Sequence, residues 1–126
     1  DLAVLRVEAR LHFGNISVIE DAIIGLRPRF PGLKALVLCG EGVNEIDATG
    51  CEALRRLAED LRSTGTSLAM AGFRLPVVET MTRAGLVGAG GLATDYRTID
   101  LAVADLTSRL RLRSVPAAPD PPWPAI

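Results

Sequence analysis

Asn44-Glu45-Ile46-Asp47-Ala48-Thr49-Gly50-Cys51-Glu52-Ala53-Leu54 decides how the rest of the chain is read. Just upstream runs Ala35-Leu36-Val37-Leu38-Cys39, apolar at every position, the pattern of a short strand buried on both faces. Downstream, Leu54, Leu57, Ala58 and Leu61 recur at i, i+3, i+4 and i+7, with Arg55, Arg56, Glu59 and Asp60 on the other face. That spacing is an amphipathic helix. Thr49 and Glu52 stand in the S/T-x-x-E relation of a capping box, in which the hydroxyl accepts from a backbone N–H and the glutamate reaches back. A strand, a short loop and a capped helix are therefore expected, with Asp47 and Thr49 presented together at the first turn. Both residues have a plain structural use there as caps. The amides of Gly50 and Cys51 and the positive end of the helix dipole also favour an anion.

Outward from this stretch, the same alternation continues. Leu5, Val7, Ala9 and Leu11 alternate with Arg6, Glu8 and Arg10, a period of two that marks a half-buried strand from Leu2 to Leu11. Leu11-His12-Phe13 either continues it or opens a second short strand before Gly14-Asn15. Ser17-Val18-Ile19-Glu20 is a second capping box, and Ile19, Ala22, Ile23 and Leu26 form the stripe of a first helix from Ser17 to Arg27, ended by Pro28 and Pro31. Gly40 and Gly42 turn the chain out of the central strand, and Gly65 stops the second helix. Ser67-Leu68-Ala69-Met70-Ala71 is another apolar strand. Pro76 suits the first turn of a third helix, with Val77, Val78, Met81 and Ala84 inward and Gly85 after them. Met70 and Met81 read as core filler. Leu86 to Thr94, with Gly88, Gly90 and Gly91, lacks the context of a phosphate-binding loop and reads as a flexible connection with a residual strand near Leu92. A fourth helix starts near Thr98, its stripe made by Ile99, Ala102, Val103, Leu106 and Leu110. Arg109, Arg111 and Arg113 complement its dipole. The proline-rich segment 114–126 fits neither ladder nor helix and is expected to be an extended tail.

At 126 residues the chain suits one domain, and with 48% apolar but only 4% aromatic residues its core must be aliphatic. A net charge of −1 argues against nucleic acid as the main partner, because phosphate binding needs a basic surplus. Cys39 and Cys51 form neither a CxxC pair nor a disulfide framework and read as buried thiols of a reducing compartment. His12 is the single histidine and has no second ligand at metal spacing, so neither a metal nor another cofactor is expected. No stretch approaches the roughly 20 apolar residues of a membrane helix, and no signal peptide is evident. The chain begins at Asp1, directly in a strand-like pattern, as a piece of a longer polypeptide would. No Ser/His/Asp set and no carboxylate pair with an assigned role is present, and Asp47 is a poor base for the Thr49 hydroxyl without a third, orienting group. A non-enzymatic protein is expected.

The wording of the opening stretch adds to this. Ile46-Asp47-Ala48-Thr49-Gly50, then Glu52-Ala53-Leu54, and later Arg62-Ser63-Thr64-Gly65-Thr66-Ser67-Leu68-Ala69-Met70-Ala71-Gly72, resembles a STAS domain. That family comprises the cytoplasmic C-terminal domains of SulP anion transporters and the bacterial anti-sigma-factor antagonists. The resemblance covers residues 1–113, leaves 114–126 outside as a tail, and implies an α/β fold: a mixed central sheet of four to five strands flanked by four to five helices. Leu11-His12-Phe13-Gly14-Asn15 resembles the aromatic-Gly/Ala-Asn signature of the transporter branch, and Ala48-Thr49-Gly50 resembles its form of the loop. The transporter branch implies a regulatory and assembly module on the cytoplasmic side of the membrane. Its partners would be the membrane domain of the same polypeptide, a second copy in a homodimer, and a regulatory protein; the cargo would be sulfate, bicarbonate or a carboxylate. The antagonist branch implies a free-standing protein switched by phosphorylation at Thr49, which matches the acceptor position. A third reading is nucleotide or anion binding at Gly50 and Cys51, without a Walker lysine to support it. For the transporter module the expected working surface is the loop from Glu41 to Thr49 with the helix start behind it: Glu41, Gly42, Asn44, Glu45, Asp47, Thr49 and Gly50.

Overall fold

The computed structural model describes residues 2–6, 13–26, 28, 29 and 31–110. Strands and helices alternate strictly: β1 (Leu2–Arg6), α1 (Phe13–Leu26), β2 (Ala35–Cys39), α2 (Ala48–Ser63), β3 (Ser67–Ala71), α3 (Leu75–Arg83), β4 (Thr94–Tyr96) and α4 (Ile99–Arg109). The sheet order follows the chain order, β1-β2-β3-β4. Every pairing is parallel, with Leu36 opposite Ala3 and Leu68, and Ala69 opposite Thr94. The mixed sheet implied by the resemblance thus has no antiparallel pairing among the described residues. The expected continuation of the first strand over Val7 to His12 lies outside them.

Side-chain alternation along the strands builds two cores. Ala3, Leu5, Leu36, Leu38, Leu68 and Met70 face one side and pack with Ile19 and Ile23 of α1, Leu54, Leu57 and Leu61 of α2, and Val77 and Met81 of α3. Leu2, Ala35, Val37, Ala69 and Ala71 face the other, where Ala102 and Leu106 of α4 close the smaller core. Consecutive right-handed crossovers put α1, α2 and α3 on one face. Only after the last strand is the chain free to cover the opposite face, and alanines at Ala35, Ala69 and Ala71 let α4 approach closely. All five side chains of β2 are completely buried, as expected of a strand between neighbours and between layers. Met70 and Met81 are core residues, both fully buried.

Several local expectations are corrected. Helix α1 begins at Phe13 rather than Ser17, so the motif Ser17-Val18-Ile19-Glu20 lies inside the helix and is not its cap. Arg27 falls outside the described residues, as does the side chain of Leu26. Ala84 is exposed at the cap of α3 rather than inward. The segment from Leu86 to Ala93 is no loose connection: Leu86, Val87 and Ala93 are buried, Ala93 N–H donates to Leu86 O at 3.0 Å, and Gly91 N–H donates to Gly88 O at 3.0 Å. The strand expected near Leu92 starts at Thr94. Helix α2 ends in a Schellman motif, with Gly65 N–H donating to Arg62 O and Thr66 N–H to Leu61 O, and Gly65 at φ +85° supplies the left-handed turn that other residues resist. Thr98 caps α4, its side chain accepting from Leu101 N–H. Cys39 and Cys51 are free and buried.

Candidate functional site

The carboxyl ends of β2, β3 and β4 are tied together by backbone bonds beyond the ladder, Gly40 N–H to Ala71 O at 2.9 Å and Gly72 N–H to Tyr96 O at 3.1 Å. The loop that follows β2 rests on this platform. Val43 N–H donates to Gly40 O at 3.0 Å, closing a turn over Glu41 and Gly42. The Phe73 ring occupies the space over Gly40, where a Cβ would collide with the ring carbons. Glu41 lays its side-chain stem over Gly72.

Two apolar side chains then pin the loop from inside. Val43 is fully buried and Ile46 nearly so, and both belong to the larger core. Between and after them, Asn44, Glu45, Asp47, Ala48 and Thr49 are exposed, and Gly50 is buried against the helix start. The structure therefore brings Glu41, Gly42, Asn44, Glu45, Asp47 and Thr49 onto one short, polar edge, three of its six residues acidic, with Gly50 beneath it. This edge lies where open parallel sheets present their working residues, beyond the carboxyl ends of the strands.

The cap of α2 is Asp47, not Thr49. Asp47 has extended backbone (φ −97°, ψ 172°), and its Oδ1 accepts from Gly50 N–H at 2.6 Å. Cys51 N–H donates to Asp47 O at 3.0 Å as the first bond of the helix. Thr49 sits one turn-position inside, exposed, with no hydrogen bond from its hydroxyl among the described residues. Glu52 does not reach back. It pairs with Arg55 at 3.1 Å, which also meets Glu59 at 3.1 Å. The capping box read from Thr49 and Glu52 is thus overturned. The packing that decides it is a hydrophobic staple: with Asp47 as cap, Ile46 and Cys51 take the positions before the cap and four residues into the helix, and both are buried in one core. A cap at Thr49 would leave Ala48 in the staple position and expose Ile46.

This geometry bears on the chemistry. The amides of Gly50 and Cys51, expected to be offered to an anion, are both occupied, by the carboxylate and the carbonyl of Asp47. Burial pushes the Cys51 thiol above its ordinary value and the Asp47 charge adds to the effect, so it is a poor nucleophile. No group of three or more His, Cys, Asp or Glu stands close enough to hold a metal among the described residues, and no described helix is long and apolar enough to cross a membrane.

One polar cluster escaped the sequence reading. Tyr96 on β4 donates its hydroxyl to Asp105 Oδ2 on α4, and Arg109 Nη1 meets the same oxygen at 3.3 Å. The Tyr96 hydroxyl, and after it Arg109, holds the Asp105 carboxyl below its ordinary pKa. Asp105 and Arg109 at i and i+4 were legible as a helical pair; the strand tyrosine that completes the cluster was not.

Comparison with known proteins agrees with the fold. The family model for the STAS domain matches residues 1–102. Among curated proteins, a probable sulfate transporter 3.4 of Arabidopsis thaliana is 26% identical over 122 residues, covering 90% of this chain and 19% of that protein. A probable sulfate transporter 4.2 of the same plant is 28% identical over 96 residues, covering 68% of this chain and 14% of that protein. The chain thus spans less than a fifth of the length of these relatives. Among solved structures, the STAS domain of a SulP transporter from Vibrio cholerae superposes with a TM-score of 0.67 at 19% identity, covering 89% of this chain and 85% of that one. A sulfate transporter family protein from Wolinella succinogenes gives 0.69 at 24% identity, covering 87% and 88%. On the match over residues 1–102, the chain belongs to the STAS domain family.

Proposed function

We propose that this chain is the non-catalytic regulatory and docking module of a SulP-type anion transporter, attached on the cytoplasmic side of the membrane to a membrane domain in the same polypeptide. The observation that carries the reading is the loop after β2: pinned into the core by Val43 and Ile46, it presents Asn44, Glu45, Asp47 and Thr49 as an exposed, pre-shaped edge. A surface loop positioned by a rigid scaffold is the usual form of a recognition element. The small share of its sulfate-transporter relatives that the chain spans supports a module within a larger protein. The cargo, carried by the membrane part, would be sulfate, bicarbonate or a carboxylate. The edge would contact that membrane part, a second copy of the domain or a regulatory protein.

The test is expression of the whole reading frame with charge reversal at the loop, Glu45→Lys, and measurement of sulfate uptake and assembly. Uptake or assembly should fall several-fold while the domain stays folded by circular dichroism. A reading frame with no membrane spans, or unaltered uptake and assembly, would refute the proposal.

The exposed Thr49 hydroxyl supports a second reading, a free-standing anti-sigma-factor antagonist switched by phosphorylation there. A phosphate adds about −1.5 to −2 charge beside Asp47, tolerated by the helix start but repelling a partner surface matched to a neutral hydroxyl. Phosphate incorporation by the cognate kinase, absent in Thr49→Ala, would establish it; no incorporation into the wild type would remove it. Nucleotide binding is the weakest alternative, because Asp47 already fills the amides it would use.

A further inference from the structure

At the opposite end of the molecule, the sheet has a notch. Strand β4 is only three residues long, and its register starts at Ala69↔Thr94. Ser67 and Leu68 therefore extend past the start of β4 with no cross-strand partner on that side. The last turns of α2 and α4 come down on the two faces of the sheet at this point. Between them lies a cavity of about 160 Å³ whose walls include Leu68 and Leu106 and whose polar lining includes Arg62, Arg109, Ser67 and Thr94.

Two arginines at two helix ends have an ordinary explanation as partners of the helix dipoles. For Arg62 the dipole offers a general attraction rather than a direct bond. Three carbonyls of the last turn of α2 are already bonded: Asp60 O by the Ser63 hydroxyl at 2.7 Å, Leu61 O by the Thr64 hydroxyl at 2.9 Å and by Thr66 N–H at 2.9 Å, and Arg62 O by Gly65 N–H at 3.1 Å. Arg62 itself has no carboxylate partner among the described residues. The Ser67 and Thr94 hydroxyls are likewise uncommitted among them. Arg109, in contrast, is held in place by Asp105, which the Tyr96 hydroxyl fixes in turn. Asp105 offsets one of the two positive charges, and Arg62 is the surplus.

We infer that this cavity binds a free tetrahedral oxyanion, sulfate or phosphate, between Arg62 and Arg109. Two arginines and two hydroxyl-bearing residues line this one cavity, a donor set that suits a tetrahedral dianion better than a planar or monatomic anion. The arginines are exposed to solvent, so screening weakens the attraction and binding falls as salt rises. The inference does not depend on the loop after β2, and its site lies at the other end of the strands.

The test is a titration of the ¹⁵N-labelled 126-residue chain with sodium sulfate at constant ionic strength, with chloride and acetate as matched arms. Saturable amide shifts are expected at Arg62, Ser67, Thr94 and Arg109. Arg62→Gln should weaken them about tenfold, the usual loss of one charge-assisted contact, whereas Arg56→Gln, exposed elsewhere on α2, should leave them unchanged. Arg62 is exposed, so the Gln variant should keep its circular dichroism and melting temperature. Equal shifts with chloride or acetate, shifts centred on Asp47 to Cys51, or an unweakened Arg62→Gln would each overturn the inference.

Discussion

Replacing Asp47 by alanine removes the cap of α2 and tests the central correction made by the structure. The carboxylate accepts from Gly50 N–H at 2.6 Å, a charge-assisted bond at the positive end of a 16-residue helix. Losing an N-cap of this kind costs about 1–2 kcal/mol. With a urea m value of about 2 kcal/mol/M for a domain of this size, the midpoint of urea unfolding should drop by roughly 0.5–1 M. Asp47→Asn keeps an acceptor at the same place and should recover most of the loss. Thr49→Ala deletes an exposed hydroxyl that holds no backbone amide and should stay within about 0.5 kcal/mol of the wild type. The measurement is equilibrium urea unfolding followed by circular dichroism on all three variants. If Thr49→Ala costs more than Asp47→Ala, the cap has been assigned to the wrong residue and the reasoning about the loop fails with it.

Other outcomes follow from the packing. Leu38→Ala in the middle of β2, where the side chain is fully buried, should cost about 2–5 kcal/mol, while Leu101→Ala, 55% exposed on α4, should cost no more than about 0.5 kcal/mol; comparable losses would contradict the layer assignment. Gly40→Ala should destabilise by about 1–3 kcal/mol because its Cβ meets the Phe73 ring, and the same change in a Phe73→Leu background should cost clearly less; simple additivity in that cycle would remove the contact as the cause. Thiol reagents should label neither Cys39 nor Cys51 until the chain is unfolded in denaturant, since both are buried; rapid labelling of the native chain would refute their placement. The raised Cys51 pKa has a definite sign. Above about pH 9 the unfolded chain loses that proton before the folded chain does, so stability is intact below that pH and falls as pH rises through it. Cys51→Ala should flatten that part of the stability profile, and an unchanged slope would exclude the thiol as its source.

Much of the scaffold was legible because it depends on periodicity. The apolar run Ala35 to Cys39, the stripe Leu54-Leu57-Ala58-Leu61 and the stripe Ala102-Val103-Leu106 each carry the spacing of their element, and burial follows it. Boundaries were read less well, because competing local signals look alike in one dimension. Ser17 to Glu20 and Thr49 to Glu52 both spell a capping box, yet neither caps a helix. The choice between Asp47 and Thr49 depends on whether Ile46 can reach the core, which is a question of packing rather than of hydrogen-bonding type. Leu86 to Ala93 reads as loose by its glycines, and only its return under the third helix shows Leu86 and Val87 buried.

The sequence by itself determined the succession of strands and helices, the aliphatic core, the family resemblance and the exposed, acidic character of the loop after the central strand. These depend on residue type and spacing along the chain, and both are local. Only the tertiary structure decided which side chain caps α2, which face of the sheet each helix covers, and that Tyr96, Asp105 and Arg109 meet. It alone placed Arg62 and Arg109 across the notch beneath β4. Such placements arise from the register of parallel strands and from which apolar groups can be buried together. Both couple residues far apart in sequence, and neither leaves a fixed spacing to read.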